Sequence, residues 1–253
     1  MNVPPAFTVN REFPVAPPAD FRIGRHYLLY ARAGSMRLEQ GGRQWSLPPA
    51  RAALIAADVP IRVTIAHPLL ACSVLFDAQR FAAPPAKLAV FEMTALAREL
   101  VLACRDFGDD AVHPPIAEQL FTTLAAVTWT LSERQSPAVL PVGRSAAVQR
   151  ALAFTEAHLD EALNFDDVAA AATVTPRSLS RRFADELGLP WGQALRRMRM
   201  IKAGEDLAMT GAQVTGIALS VGYSSVSAFN AAFREFSGKS PTAYRDDIRD
   251  RAF

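Results

Sequence analysis

Residues 166–245 carry one short design written twice, and nothing else in the chain restricts its fold so tightly. In the first copy the apolar run 168–172 predicts a short helix. Thr175 follows as an N-cap, its hydroxyl able to accept from a backbone N–H of the next turn, and Pro176 takes the first helical position, where a missing N–H costs nothing. Leu179 and Phe183 then share one face at i and i+4, and Gly188 ends the helix. In the second copy 217–221 is the short helix, Gly222-Tyr223 the turn and Ser225 the N-cap; Phe229 and Phe233 repeat the spacing and Gly238 closes it. Between the copies, 191–209 reads as a single helix, about 28 Å long at the usual rise per residue.

Helix, tight turn and helix with a polar outward face is the helix-turn-helix plan, whose second helix enters the DNA major groove. One such pattern alone is a weak signal. Two in tandem, followed by Ser240-Pro241-Thr-Ala-Tyr244-Arg245, resemble the C-terminal domain of the AraC/XylS family of bacterial transcription regulators. The resemblance covers roughly residues 145–247. It is carried by Leu179-Ser-Arg-Arg-Phe183, Ile217-Ala-Leu-Ser-Val-Gly222-Tyr223, Ala228-Phe229 through Phe233, and the Pro241, Tyr244-Arg245 close. It implies double-stranded DNA and RNA polymerase as partners, activation as the usual mode, an N-terminal cupin-like barrel that binds a small effector, and helices after the barrel that mediate dimerisation.

The residues that meet DNA follow from which face is left over. With Leu179 and Phe183 inward, Arg177, Ser178, Ser180, Arg181 and Arg182 point outward beside the cap Thr175. Arg177 and Arg181 sit at i and i+4, so one face carries two guanidiniums able to bond guanine O6 and N7. The family resemblance places base reading at Arg177, Ser180 and Arg181. Its matching positions in the second copy are Ser227, Asn230 and Ala231, with Val226 near the groove after the cap Ser225. Ala231 stands where many family members carry Arg, which shifts base discrimination to the first copy. Asn230 remains suited to adenine and Val226 to a thymine methyl. Arg234, Lys239 and Arg245 are phosphate candidates.

The net charge of +2 would argue against a nucleic-acid partner if charge were spread evenly. It is not: between Arg177 and Lys202 stand seven basic residues against two acidic ones, a local charge of +5. That run is either a solvated helix face or a cationic footprint. Recognition helices that enter successive groove turns lie roughly 34 Å apart, so the 191–209 helix, packed through Leu195, Met198, Ala203 and Leu207, has the length of a rigid spacer.

Upstream the period changes. Residues 1–20 hold five prolines and predict an irregular arm; short β-like runs follow at 21–30, 35–40, 43–47, 52–57, 62–66 and 71–76. Gly41-Gly42 signals a hairpin, and Pro48-Pro49, Pro60 and Pro68 break other runs. Helical periods occupy 94–105 and 116–134, the second with Leu120, Leu124, Val127 and Leu131 in one apolar stripe. That stripe packs on its own barrel or forms a dimer interface. Ser136-Pro137-Ala-Val-Leu-Pro141-Val-Gly143 then interrupts all periodicity, and 15 of the 18 prolines lie at or before Pro141.

The expected fold is multidomain α+β: an N-terminal β-barrel or sandwich, cupin-like, with a helical hairpin, then an all-α domain with two helix-turn-helix motifs joined by a linker helix. The expected domains are 1–135 for effector binding and dimerisation, 136–144 as linker and 145–253 for DNA.

A cupin fold raises metal chemistry, so ligands matter. His26, His67, His113 and His158 are scattered, with no His-x-His pair and no Glu in ligand spacing, and no catalytic set or phosphate-cradling loop occurs. No catalytic residue, metal ligand or cofactor is assigned, and the effector-binding residues are left unassigned. Cys72 and Cys104, amid apolar neighbours, read as buried free thiols. Met1-Asn-Val-Pro-Pro lacks a basic segment leading an apolar core, and no apolar run approaches a membrane span, so the expected place is the cytoplasm with no membrane partner. Two other functions stay open: a cupin-type metal enzyme with an accessory DNA-binding domain, and an effector-independent regulator whose barrel serves only assembly.

Overall fold

A computed structural model of the chain describes residues 3–110 and 112–249. Met1 and Asn2, at the start of the expected irregular arm, lie outside the described residues, as do Ala111 and 250–253 at the end of the expected DNA domain. Within the described residues the chain forms two compact units, one from 3–40 and 46–136, the other from 41–45 and 137–249.

The strands are β1 (Ala6–Phe13), β2 (Ala16–Phe21), β3 (Arg25–Leu29), β4 (Ala31–Gln40), β5 (Arg43–Leu47), β6 (Arg51–Ile55), β7 (Ile61–Asp77) and β8 (Leu88–Glu92). In the first unit they make one open antiparallel sheet, β8-β6-β3-β7-β4, with β1 and β2 also paired to β7. Among the described residues the sheet is curled into a half-barrel, the expected barrel in open form.

Prolines misled the reading of this unit in two places. The expected irregular arm is β1 and β2. Pro14 falls between them, and the register shift between Ala16 and Ala19 spans Pro17 and Pro18, so no ladder bond needs the N–H they lack. The expected break at Pro68 is also absent: β7 runs through it for 17 residues. Pairing with β1 stops at Leu69 and pairing with β2 starts at Ile65, while the β4 register shifts on both sides of Ser35 and His67. Pro68 sits in that common gap. Gly34, at φ +76, permits the bulge, since a Cβ there would stand 2.0 Å from the Pro68 carbonyl oxygen.

Two helices follow, α1 (Ala95–Ala103), capped by Thr94, and α2 (Pro115–Ser132), opened by Pro at its first turn. They cover the sheet, with Val101, Phe121 and Leu124 in one core with Leu28, Phe76 and Phe91. Leu124 is fully buried, and Leu120, Val127 and Leu131 pack against the same core. The stripe thus packs on its own sheet, while Leu120, Val127 and Leu131 are only half-buried. Cys72 and Cys104 are free and buried there, and burial pushes their thiols up to about 11 and about 12.

In the second unit β9 (Val139–Pro141), inside the expected linker, pairs with Arg43, Gln44 and Trp45. Three residues are too few to display a period of two, which is why this strand was not legible. The helices are α3 (Ala146–Ala157), α4 (Phe165–Ala171), α5 (Pro176–Leu187), α6 (Trp191–Met209), α7 (Val214–Ser220), α8 (Val226–Ser237) and α9 (Pro241–Arg249). The spacer helix α6 has the expected bounds. Helices α4 and α7 start three residues before the expected runs, at Phe165 and Val214, directly after the extended N-caps Asn164 and Gln213.

Candidate nucleic-acid interface

Each helix-turn-helix copy is built by the same local rules. Thr175 Oγ1 accepts from the Ser178 N–H at 3.2 Å, and Ser225 Oγ accepts from the Ala228 N–H at 3.3 Å. Both caps satisfy donors that the first helical turn leaves over. At the other end Gly188 and Gly238 take the left-handed conformation, at φ +67 and +77. Leu179 and Phe183 of α5, and Phe229 and Phe233 of α8, are buried. Anchored through these pairs, each helix turns its opposite face to solvent.

On α5 that face presents Arg177, Ser180 and Arg181, all exposed, with Thr175 exposed at its start and Ser178 half-buried. Neither Arg177 nor Arg181 has a side-chain partner among the described residues. Arg182 is different: it is half-buried and its Nε is enclosed without a partner. Of the expected contact residues on α8 and its cap, Ser225, Ser227, Ala231 and Arg234 are exposed, while Val226 and Asn230 are half-buried. Asn230 Oδ1 is enclosed without a partner. Two-point pairing with adenine uses both ends of the amide, so it requires this side chain to turn outward.

The cationic run from Arg177 to Lys202 is less free than its charge suggests. Arg196 pairs with Glu235, and Lys202 with Asp206 at 2.7 Å. Arg197 donates to the Val139 carbonyl, and Arg199 to the carbonyls of Leu159 at 3.0 Å and Glu161 at 2.7 Å. Of the seven basic residues, those left unengaged lie on α5. Lys239 is paired with Asp247, and Arg245, half-buried, donates to the Ala212 carbonyl at 2.7 Å. Phosphate binding by either competes with a partner inside the chain.

Arg199 was not singled out by its sequence position. It lies against the second turn, where a Cβ at Gly222 would be 2.4 Å from its guanidinium and 2.5 Å from the Leu159 carbonyl oxygen. A glycine required by both position and φ +76 is the signal that points to it. Glu186, also unforeseen, accepts from the N–H groups of Arg144 at 2.7 Å and Ser145 at 2.8 Å, tying α5 to the start of α3.

The histidines stay apart. His26 Nδ1 accepts from the Ala57 N–H, His67 Nδ1 pairs with Ser35 Oγ, and His158 bonds the Phe154 carbonyl one turn back. Among the described residues no three His, Cys, Asp or Glu side chains gather as a metal set, and no helix is long and apolar enough to cross a membrane.

The family model described as "Helix-turn-helix domain" matches residues 168–247. The HTH-type transcriptional activator AarP of Providencia stuartii is 33% identical over 102 residues, which are 40% of this chain and 76% of AarP. The regulatory protein PocR of Salmonella typhimurium is 30% identical over 112 residues, 44% of this chain but only 37% of PocR, so the chain spans little more than a third of that relative. Among solved structures, the C-terminal domain of the response regulator AraT from Geobacillus stearothermophilus is 36% identical over 40% of this chain and 84% of that one, with a TM-score of 0.38.

Proposed function

This chain belongs to the AraC/XylS family of transcription regulators, and from that premise we propose that it is a sequence-specific activator whose residues 145–253 read double-stranded DNA. In this reading residues 1–135 form a cupin-like domain that binds a small effector and dimerises, and 136–144 join it to the reader. The chain acts in the cytoplasm, where its DNA is, and not as an enzyme. Activation, the mode named for AarP, implies RNA polymerase as a partner.

The observation that carries the reading is the pair of equal helices, α5 and α8, each 12 residues long, with matching caps and with opposite faces turned to solvent. Arg177, Ser180 and Arg181 read bases, with Thr175 and Ser178 at the helix start and Arg182 at its middle. Ser225, Val226, Ser227, Asn230, Ala231 and Arg234 supply shape and phosphate contacts, and Lys239 and Arg245 exchange their internal partners for phosphate. The 19-residue α6 is a stiff spacer of about the length that successive groove turns require. An effector acts by binding one domain or dimer arrangement more tightly than another, since equal affinity would shift nothing.

The test is selection of bound genomic fragments with the full-length protein, followed by footprinting on the selected site. Two protected tracts on one face, about one helical turn apart, are expected. Absence of any protected tract at low ionic strength would overturn the reading.

A further inference from the structure

The strand unit holds a cavity of about 700 Å³ that no motif announces. Ligand pockets span roughly 300–1,000 Å³, so the volume suits a small molecule. The cavity follows one side of α2 from Pro114 past Glu118 and Phe121 to Trp129, and residues 80–82 and 4–6 close it. From Glu118 to Trp129 the helix rises about 16 Å.

The two ends differ in charge. Trp129 Nε1 donates to the Ala82 carbonyl at 3.0 Å, which fixes the 80–82 loop, and with it Arg80, at the far end of α2. Arg80 is exposed and has no side-chain partner among the described residues. At the near end Glu118 is likewise exposed and without a side-chain partner among them. His113 stands beside it, donating from Nε2 to the Gly108 carbonyl at 2.8 Å, which leaves Nδ1 as an acceptor. One end therefore offers donors and positive charge, the other acceptors and negative charge.

Between them the wall is apolar, with Phe81, Phe121, Ala125 and Ala126. Thr122 gives its hydroxyl proton to the Glu118 carbonyl at 2.7 Å. Pro4 and Pro5 have no N–H, and their carbonyls accept from Arg25 at 3.1 and 3.4 Å. A peptide lying here would leave its own backbone groups unpaired, which an aliphatic body does not. A single-headed amphiphile would press its tail against the opposite charge and strip water from it uncompensated.

We propose that this groove binds an elongated apolar molecule with a carboxylate at one end, held by Arg80, and an ammonium at the other, held by Glu118 and His113 Nδ1. The proposal rests on the reading of residues 1–135 as effector-binding. The probe is ω-aminododecanoate, titrated calorimetrically into the full-length protein beside dodecanoate and dodecylamine, which each carry one of its two charges. The two-headed probe should bind at least tenfold more tightly than either. Arg80→Ala should abolish its advantage over dodecylamine, Glu118→Gln its advantage over dodecanoate, and Ala126→Trp, which fills the groove, should block all three. Equal binding of dodecanoate and ω-aminododecanoate, indifference to Glu118→Gln, or no binding of the probe would overturn the proposal. DNA retention is measured in the same samples. A probe that binds with this pattern and leaves DNA retention unchanged supports the site while removing the effector reading of the unit.

Discussion

The two helix-turn-helix copies share a skeleton and differ in what they show to solvent. Their caps, closing glycines and buried pairs coincide, yet α5 exposes two unengaged guanidiniums where α8 exposes Ser227 and Ala231 and encloses Asn230 Oδ1. Their turns differ too. Thr173 takes φ +59, a costly conformation for a β-branched residue, with its hydroxyl accepting from Arg150 at 2.7 Å and donating to the Ala172 carbonyl. Gly222 fills the same role in the second copy at φ +76, followed by a turn one residue longer before the cap. Packing and backbone closure hold both copies to one design, whereas an exposed side chain answers only to its partner.

The comparison breaks first at the core. Phe183→Ala and Phe229→Ala should each cost about 3–5 kcal/mol, because both rings are fully enclosed and leave cavities of similar size. Denaturant unfolding of the full chain measures this. A much smaller loss at Phe229 would mean that the second copy is not packed as the first is.

Next comes the turn. Gly222→Ala should cost about 2 kcal/mol or more, since a side chain there meets the left-handed penalty and the Leu159 carbonyl together. Thermal unfolding checks the value. A neutral result would show that Arg199 and residue 159 move freely, and that the second turn is not held as described.

The exposed faces give the third test. Arg181→Ala should weaken binding to a selected site by about 1–3 kcal/mol and relax preference at one base, with less effect on random duplex. Asn230→Ala should be milder, because its acceptor oxygen is enclosed. Titrations on both duplexes decide; greater damage from Asn230→Ala would reverse the assignment of the two copies.

Much of this unit was legible because helices announce themselves locally. Thr175, Ser225, Gly188 and Gly238 mark ends through backbone chemistry that acts within one turn, and α6 has the bounds its pattern predicts. What escaped depends on distant partners. Arg196 and Arg199 read as part of a cationic face, but Glu235 and the Leu159 carbonyl, remote in sequence, engage them. Asn230 sits between the buried Phe229 face and the open one, a boundary that a 3.6-residue period does not resolve. In the strand unit the prolines dominated the reading, since whether Pro68 breaks a strand depends on where β1, β2 and β4 stop pairing, and no local pattern records that.

The smallest expected effect lies in a tie that one copy has and the other lacks. Burial alone would raise the Glu186 carboxyl, but hydrogen bonds from Ser145 and Arg144 hold it below its ordinary 4.5; the matching position in α8 is Phe236. A carboxyl lowered on folding contributes stability that is complete above its ordinary value and is lost as the pH falls through the lowered one. On acidification below about 4.5, protection of amides at the start of α3, relative to their intrinsic exchange at each pH, should therefore fall before protection in α8 does, and Glu186→Gln should remove that early loss. If both copies loosen together in the unsubstituted protein, the Glu186 bonds do not distinguish them, and the first copy owes its rigidity to Leu179 and Phe183 alone.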